Sequence, residues 1–149
     1  MTALRRCVTV HSSLLRFRVR FIVGRRRICA PLLIERCPIS PLGDIDPKTG
    51  VLKNPKCRNY GKSISGKVFA YPVSCGSTVG SYVLYQLSKV GRGPQAIVVK
   101  QVDPVLLVGC ILGGIELVEC SHEDFWYMAR DGYVVELNPE EHTLTLIPQ

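Results

Sequence analysis

The stretch GKVFAYPVSCGSTVGSYVLYQLSKVG, residues 66–91, decides the fold that the sequence predicts. Its first part, residues 67–71, is a short apolar run that ends at Pro72, a pattern typical of a buried strand. From Thr78 onward, apolar side chains recur at helical spacing. Gly91 follows the last of them, at the position where a left-handed residue commonly ends a helix. The sequence therefore predicts a strand, a small polar turn and a helix.

The turn between strand and helix has the composition of a ligand-binding loop. Unpaired backbone N–H groups and the positive end of the helix dipole favour anions at a helix N-terminus. Gly76 and Gly80 allow the backbone to approach a ligand closely, and Ser77, Thr78 and Ser81 supply hydroxyl groups. Two compatible interpretations follow: an anion or phosphate site, or a helix cap made by Ser77 or Thr78.

The turn does not match two well-known glycine motifs. A P-loop needs Lys and then Ser or Thr after its second glycine, whereas Ser81 and Tyr82 follow Gly80. The nucleophile elbow of hydrolases needs the order G-x-S-x-G, whereas this chain has GSTVG at residues 76–80. The sequence therefore indicates neither a P-loop nucleotide site nor a serine hydrolase.

Composition indicates one globular domain. The chain has 149 residues, of which 46% are hydrophobic and 21% charged, enough to bury a substantial core. Residues 1–13 are expected to be a poorly structured basic extension, and residues 14–149 to form the domain. The apolar stretch at residues 105–115 is interrupted by glycines and is shorter than the ~20 residues of a membrane span. A soluble, cytoplasmic protein without membrane contact is expected.

The net charge of +7 comes from the beginning of the chain. Its arginines there are Arg5, Arg6, Arg16, Arg18, Arg20, Arg25, Arg26 and Arg27. Such a charge suits an anionic substrate, an acidic partner or nucleic acid, but a solvated basic face is the simpler interpretation. Nucleic acid is not the expected partner, because Phe17 and Phe21 alternate with the arginines as the core face of a strand, rather than forming an exposed stacking platform.

The seven cysteines do not form a metal-binding pattern. None belongs to a C-x-x-C pair, and the three histidines are scattered, so the sequence does not predict a zinc or iron–sulfur site in this chain. Cys75 lies beside the turn, where a helix N-terminus can acidify a thiol. It ranks below Ser77 as a functional residue because no histidine is near it in sequence.

The remaining pattern predicts a mixed sheet with a parallel centre. Predicted strands are residues 16–23, 31–34, 67–71, 95–99, 115–118, 133–137 and 143–147, with a second helix at residues 104–112 that Asp103 begins. Residues 40–61 are rich in turn formers, and a loop of this length is expected to act as a lid or to contact a ligand or partner. Asp44 and Asp46 within it are interpreted as turn formers rather than paired catalytic carboxylates. The fold class is α/β, a compact three-layer domain.

Three runs of sequence resemble a known family. CPISPLGDIDPKTG, NYGKSISGKVFAYPVSCGSTVGSYVLYQL and GPQAIVVKQVDPVLLVGCILGGIELVE are similar to the small subunits of the aconitase X family, the separate archaeal small chains above all, with a match over roughly residues 16–146. The resemblance implies the β/β/α fold of the aconitase swivelling domain. It also implies a heterodimer with a large subunit that carries an iron–sulfur cluster of the [4Fe-4S] type, with no cofactor bound by this chain.

The resemblance also implies an activity and a site. The implied reaction is that of a hydro-lyase, active only with the large subunit, which dehydrates (R)-5-phosphomevalonate to trans-anhydromevalonate 5-phosphate in a modified mevalonate route to isoprenoids. The family's Gly-Ser-Thr loop falls on residues 76–78 and its proton-accepting serine on Ser77, with Gly76, Thr78 and Ser81 as substrate-binding candidates. Two alternatives remain: a non-catalytic swivelling module that binds a phosphorylated ligand or a partner protein, and a dehydratase of another hydroxy acid.

Overall fold

The computed structural model describes residues 14–149, so the extension predicted for residues 1–13 lies outside it. The described strands are β1 Leu15–Arg18, β2 Arg20–Val23, β3 Ile28–Ile34, β4 Val68–Tyr71, β5 Ala96–Val99, β6 Glu116–Glu119, β7 Val134–Asn138 and β8 Thr143–Ile147. They form one sheet in the order β1-β8-β7-β3-β4-β5-β6-β2. Strands β3 to β6 pair in parallel and the remaining pairs are antiparallel, which confirms the mixed sheet with a parallel centre.

Four helices are described, which we number α1 Pro41–Asp44, α2 Gly80–Lys89, α3 Pro104–Gly113 and α4 Glu123–Met128. The helices α2 and α3 are the crossovers between parallel strands, as the alternation of the sequence predicts. Within residues 14–149, no helix is long and apolar enough to cross a membrane.

The prediction of one continuous strand at residues 16–23 is wrong. Residues 16–23 form two strands, β1 and β2, which lie at opposite ends of the strand order and are separated only by Val19. The backbone N–H of Val19 donates to His142 O at 2.9 Å. Because one residue joins the first and last strands of the order, the two ends of the sheet must meet there, and the sheet curves round on itself.

The curved sheet encloses one core and supports a second. The first core lies inside the fold of the sheet and includes Phe17, Leu32, Val118 and Leu144. The second lies between the parallel strands and the helices α2 and α3, and Phe69 belongs to it. Two sheet layers and one helix layer confirm the three-layer domain that the sequence pattern predicts, in the β/β/α arrangement that the family resemblance implies.

Helix α3 packs tightly on α2 because glycines face the contact. A Cβ on Gly109 would lie 2.8 Å from Leu84 Cδ1, so no larger residue fits there without a shift. Asp103 begins α3 as predicted, with its Oδ1 accepting a hydrogen bond from Leu106 N at 3.0 Å. The helix ends at Gly114, whose φ of 63° is left-handed.

The turn-rich region at residues 40–61 is more ordered than its composition suggests. It contains α1, which the sequence analysis missed, and its Ile45 and Leu52 are buried. Asp44 accepts hydrogen bonds from Ser40 N and Asn54 Nδ2, both at 2.8 Å. Asp46 accepts from two backbone N–H groups of the following turn. Both aspartates are therefore turn formers, as predicted.

Candidate functional site

The loop at residues 72–79 lies where the sequence places it. It follows β4 and leads into α2, at the edge of the sheet where the parallel strands end. Ligands of α/β sheets gather at this edge. Ser77 and Thr78 are exposed to solvent rather than buried in the core, so both hydroxyl groups are accessible.

The segment that follows β3 packs against this loop and is hydrogen-bonded to it. After β3, Ile39 runs parallel to the loop: Ile39 N donates to Val73 O at 3.1 Å, and Cys75 N donates to Ile39 O at 2.9 Å. The next residue, Ser40, begins α1, and its Oγ accepts from Gly43 N at 3.2 Å. The loop of the candidate site therefore rests on the segment that begins α1.

Ser77 does not cap helix α2. Its Oγ accepts a hydrogen bond from Val79 N at 3.2 Å, which closes a short turn before the helix starts. Helix α2 begins at Gly80 with Val79 as its N-cap residue, and no side chain makes the cap hydrogen bond. The cap interpretation for Ser77 or Thr78 is therefore wrong, because the helix starts later than either residue would require. Backbone carbonyls of the turn take the place of a side-chain cap: Gly80 N donates to Ser77 O at 3.2 Å, and Tyr82 N donates to Val79 O at 3.1 Å.

Ser81 is separated from the other hydroxyl groups. It is only 7% exposed and lies on the face of α2 that packs against α3, where a Cβ on Gly109 would come within 3.1 Å of Ser81 Cα. Ser77 and Thr78 instead precede the helix and face solvent. The structure thus brings Gly76, Ser77 and Thr78 together in one exposed turn and places Ser81 in the helix interface.

The neighbouring thiol and phenol are not activated. Partial desolvation, followed by the nearby Asp44 carboxylate, raises the pKa of Cys75 above its ordinary value, although the residue as a whole is exposed. Burial also raises the pKa of Tyr71, whose hydroxyl is 2.8 Å from Ser74 Oγ. Neither side chain has the lowered pKa expected of a nucleophile or a base.

The described residues do not offer a metal centre. Between residues 14 and 149, His, Cys, Asp and Glu side chains nowhere form a group of three or more that could hold a metal ion. The ligand set of an iron–sulfur cluster, typically four cysteines, therefore does not fit this part of the chain, and we derive no step at a cluster held by it.

Arginines that sequence reasoning missed lie at the same edge of the sheet. Arg36, Arg58 and Arg130 line a concavity there together with Trp126 and Tyr127. These arginines lie far apart in the sequence, so no local spacing signals their proximity. For Arg36 alone, its place shortly after a predicted strand indicates that it lies at the carboxyl edge of the sheet.

Comparison with known proteins shows the family to which this chain belongs. The model of the aconitase X swivel domain matches residues 16–146, and the chain belongs to that family. It is 46% identical over 116 residues to the phosphomevalonate dehydratase small subunit of Methanosarcina acetivorans, covering 78% of this chain and 81% of that protein. The small subunit of the same name from Pyrococcus horikoshii is 37% identical over 127 residues, covering 85% of this chain and 92% of that one.

A solved structure agrees with both the fold and the family. A chain in the crystal structure of Thermococcus kodakaraensis aconitase X in its holo-form superposes with a TM-score of 0.82 at 30% identity. The similarity covers 90% of this chain and 99% of that one. The β/β/α swivelling-domain fold that the family resemblance implies is thereby confirmed.

Proposed function

We propose that this chain is the small subunit of a phosphomevalonate dehydratase, a hydro-lyase that converts (R)-5-phosphomevalonate to trans-anhydromevalonate 5-phosphate. The observation that carries the proposal is its similarity to small subunits of that name, at 37–46% identity over most of both chains. The exposed loop at the ligand-binding edge of the sheet supports it independently. The product would feed a modified mevalonate route to isoprenoids in the cytoplasm of an archaeon.

The reaction needs two groups, and this chain supplies one. Dehydration removes a proton next to a carboxylate and releases a hydroxyl group, which is a poor leaving group. Release of the substrate hydroxyl group is assigned to the large subunit, where an iron–sulfur cluster would provide Lewis-acid chemistry. The small subunit is therefore proposed to be active only in a heterodimer, with the loop of residues 72–79 facing its partner.

Ser77 is proposed to accept the proton. A serine hydroxyl is protonated at neutral pH, so it acts as a base only if its alkoxide is stabilised by hydrogen-bond donors or positive charge. Val79 N already donates to Ser77 Oγ, and the positive end of the α2 dipole lies beside this turn. A backbone donor at 3.2 Å shortens and strengthens as the oxygen becomes anionic.

Gly76, Thr78 and Ser81 are given supporting roles. Gly76 is proposed to let the loop pass close to Ser40, where a Cβ would stand 2.5 Å from Ser40 Oγ, and so to fix the position of Ser77. The exposed Thr78 is proposed to donate a hydrogen bond to the substrate. Ser81, buried between α2 and α3, is proposed to act on the substrate only through the position of the first turn of α2.

The test is reconstitution with a large subunit. The chain is co-expressed with the large subunit of an archaeal phosphomevalonate dehydratase, the complex is purified with its iron–sulfur chromophore, and dehydration of (R)-5-phosphomevalonate is followed. Turnover by the complex, and none by either chain alone, supports the proposal. Pairing without turnover on phosphomevalonate or related hydroxy acids would favour the non-catalytic binding module.

A further inference from the structure

The concavity lined by Arg36, Arg58 and Arg130, here named the arginine pocket, is large enough for a small ligand. Its volume is about 590 Å³, and Glu123, Trp126 and Tyr127 complete its lining. Small-molecule sites commonly occupy a few hundred to a thousand Å³. Because the pocket is open to solvent, a ligand would reach it directly.

The end of helix α4 holds two of the guanidinium groups in place. Arg36 donates from Nε to Trp126 O at 3.0 Å and from Nη2 to Ala129 O. Arg130 donates from Nη1 to the same Ala129 oxygen at 2.9 Å and to Tyr127 O at 2.8 Å. Two positive groups thus converge on one carbonyl oxygen. Each guanidinium has five N–H donors, so both retain donors for a ligand.

Arg58 is presented by a buried polar network. The carboxylate of Glu35, 2% exposed, accepts from Arg58 N at 3.0 Å and from Asn59 N at 2.7 Å. The Asn59 side chain donates to Ile34 O at 2.9 Å, which ties this loop to the end of β3. The Arg58 side chain remains 58% exposed, 4.0 Å from the nearest carboxylate, Asp131. The backbone is fixed while the guanidinium faces solvent.

Positive charge in the pocket is incompletely balanced. Asp131 is the nearby carboxylate, and its Oδ1 already accepts from Ile34 N at 2.8 Å. Glu123, the carboxylate among the lining residues, is paired with Lys100. Burial lowers the pKa of Arg36, and the neighbouring positive charges of Arg130 and Arg58 lower it further. A bound anion would relieve this repulsion.

We propose that the arginine pocket binds the phosphoryl group of the substrate, an inference that rests on the proposed function. A phosphate monoester carries nearly two negative charges at neutral pH and three acceptor oxygens. Planar guanidinium groups match those oxygens two at a time. Arg36 follows β3 and the Ser77 loop follows the adjacent strand β4, so both lie at one edge of the sheet. A carboxylate of the large subunit, with a single charge, is the competing occupant.

The experiment uses the two-subunit complex carrying Arg58→Gln, Arg58→Lys or the control Arg92→Gln. Arg58 is chosen because its guanidinium makes the fewest structural contacts of the three, and Arg92 is an exposed arginine outside the pocket. KM and kcat are measured with (R)-5-phosphomevalonate, inorganic phosphate is titrated as an inhibitor and as a ligand by calorimetry, and pairing is measured by size-exclusion chromatography.

We expect Arg58→Gln to raise KM about 10- to 100-fold, because the substitution removes one charge-assisted hydrogen-bonding group. Phosphate binding should weaken in parallel, with kcat within about threefold, while Arg58→Lys recovers part of the affinity and Arg92→Gln has no effect. Unchanged KM and phosphate affinity, or weakened subunit pairing with unchanged KM, would overturn the inference. If the wild-type complex binds phosphate through Arg58 but does not dehydrate phosphomevalonate, the proposed substrate fails and the anion site stands.

Discussion

Gly76 lies so close to Ser40 that a Cβ on Gly76 would stand 2.5 Å from Ser40 Oγ, well inside contact distance. The φ of Gly76 is +89°, a conformation that side chains disfavour. Ser40 is in turn fixed, because its Oγ accepts from Gly43 N and its backbone N–H donates to Asp44. The position of the loop that carries Ser77 is therefore fixed by its packing on Ser40, in the connection after β3.

Gly76→Ala should reduce both stability and turnover. We expect a loss of about 1–2 kcal/mol from the left-handed conformation, and a larger loss of turnover as the added methyl group pushes the loop off Ser40. Gly61→Ala is the matched control: its φ is +85°, but nothing lies within 4 Å of its Cβ position. Chemical denaturation and steady-state kinetics of the complex check both. Equal turnover losses in the two variants would show that strain alone is responsible.

Ser77→Ala should lose most of the turnover while the complex still forms. A positioned general base contributes about 10²- to 10⁴-fold to the rate. If Ser77 only closes a turn onto Val79 N, its loss costs on the order of 1 kcal/mol of stability and leaves turnover per assembled complex unchanged. Rates of Ser77→Ala and Ser77→Gly, each normalised to the amount of assembled complex, distinguish the two roles, and near-wild-type turnover in either removes Ser77 from the mechanism.

Thr78→Ala and Ser81→Ala should have smaller effects than Ser77→Ala. Loss of one hydrogen-bonding hydroxyl is worth about 1 kcal/mol, or roughly fivefold in KM, for the exposed Thr78. Ser81 is buried, so its substitution should lower the melting temperature slightly and change KM less. Thermal unfolding and KM measured on the same preparations test this order. A loss of turnover with Thr78→Ala as large as with Ser77→Ala would move the catalytic assignment.

Cys75→Ser should keep most of the activity and leave its pH dependence unchanged. Because the pKa of the Cys75 thiol is raised from its ordinary value, a thiolate base would make turnover climb about tenfold per pH unit through the neutral range. We expect no such thiol-dependent rise between pH 6 and about pH 9 in either protein. Turnover measured across that range checks it, and a steep rise that disappears in Cys75→Ser would restore the thiol as the base.

The chain should lose stability in alkali partly through Cys120. Burial raises the pKa of this thiol from 9.0 to about 11, against a small opposing effect of the His122 backbone N–H. The folded state therefore holds the proton more tightly than the unfolded state. This contribution is complete below pH 9.0 and is lost as the pH rises toward 11. Denaturation of wild type and Cys120→Ala at pH 7.5 and 10.5 tests it: the variant should show the smaller decrease.

Most of the fold is predictable because its elements carry local signals. The strand at residues 143–147, the capping by Asp103 and the left-handed Gly91 all match the structure, with Gly91 at a φ of +71°. Helix α1 is short, but Ser40 followed by Pro41 is a readable N-cap signal that the turn-rich surroundings obscured. Helix α4 has no side-chain cap to mark its start.

The parts that sequence could not predict depend on distant contacts. Arginine and apolar residues alternate without a break along residues 16–20. Nothing in this pattern shows that the strand pairing changes from β8 to β6 at Val19. The candidate loop was located correctly because the strand, turn and helix are contiguous. The arginine pocket was missed because its three guanidinium groups come from separate loops that only the folded chain brings together.

The junction at Val19 limits how copies of this chain can associate. Exposed edge strands recruit other strands through unpaired backbone groups, and long flat edges promote aggregation. Here the first and last strands of the order are only four residues each and run consecutively through one buried residue. A neighbouring protein finds little backbone template for adding a strand, so recognition must depend on side chains and on the loops at the end of the parallel strands.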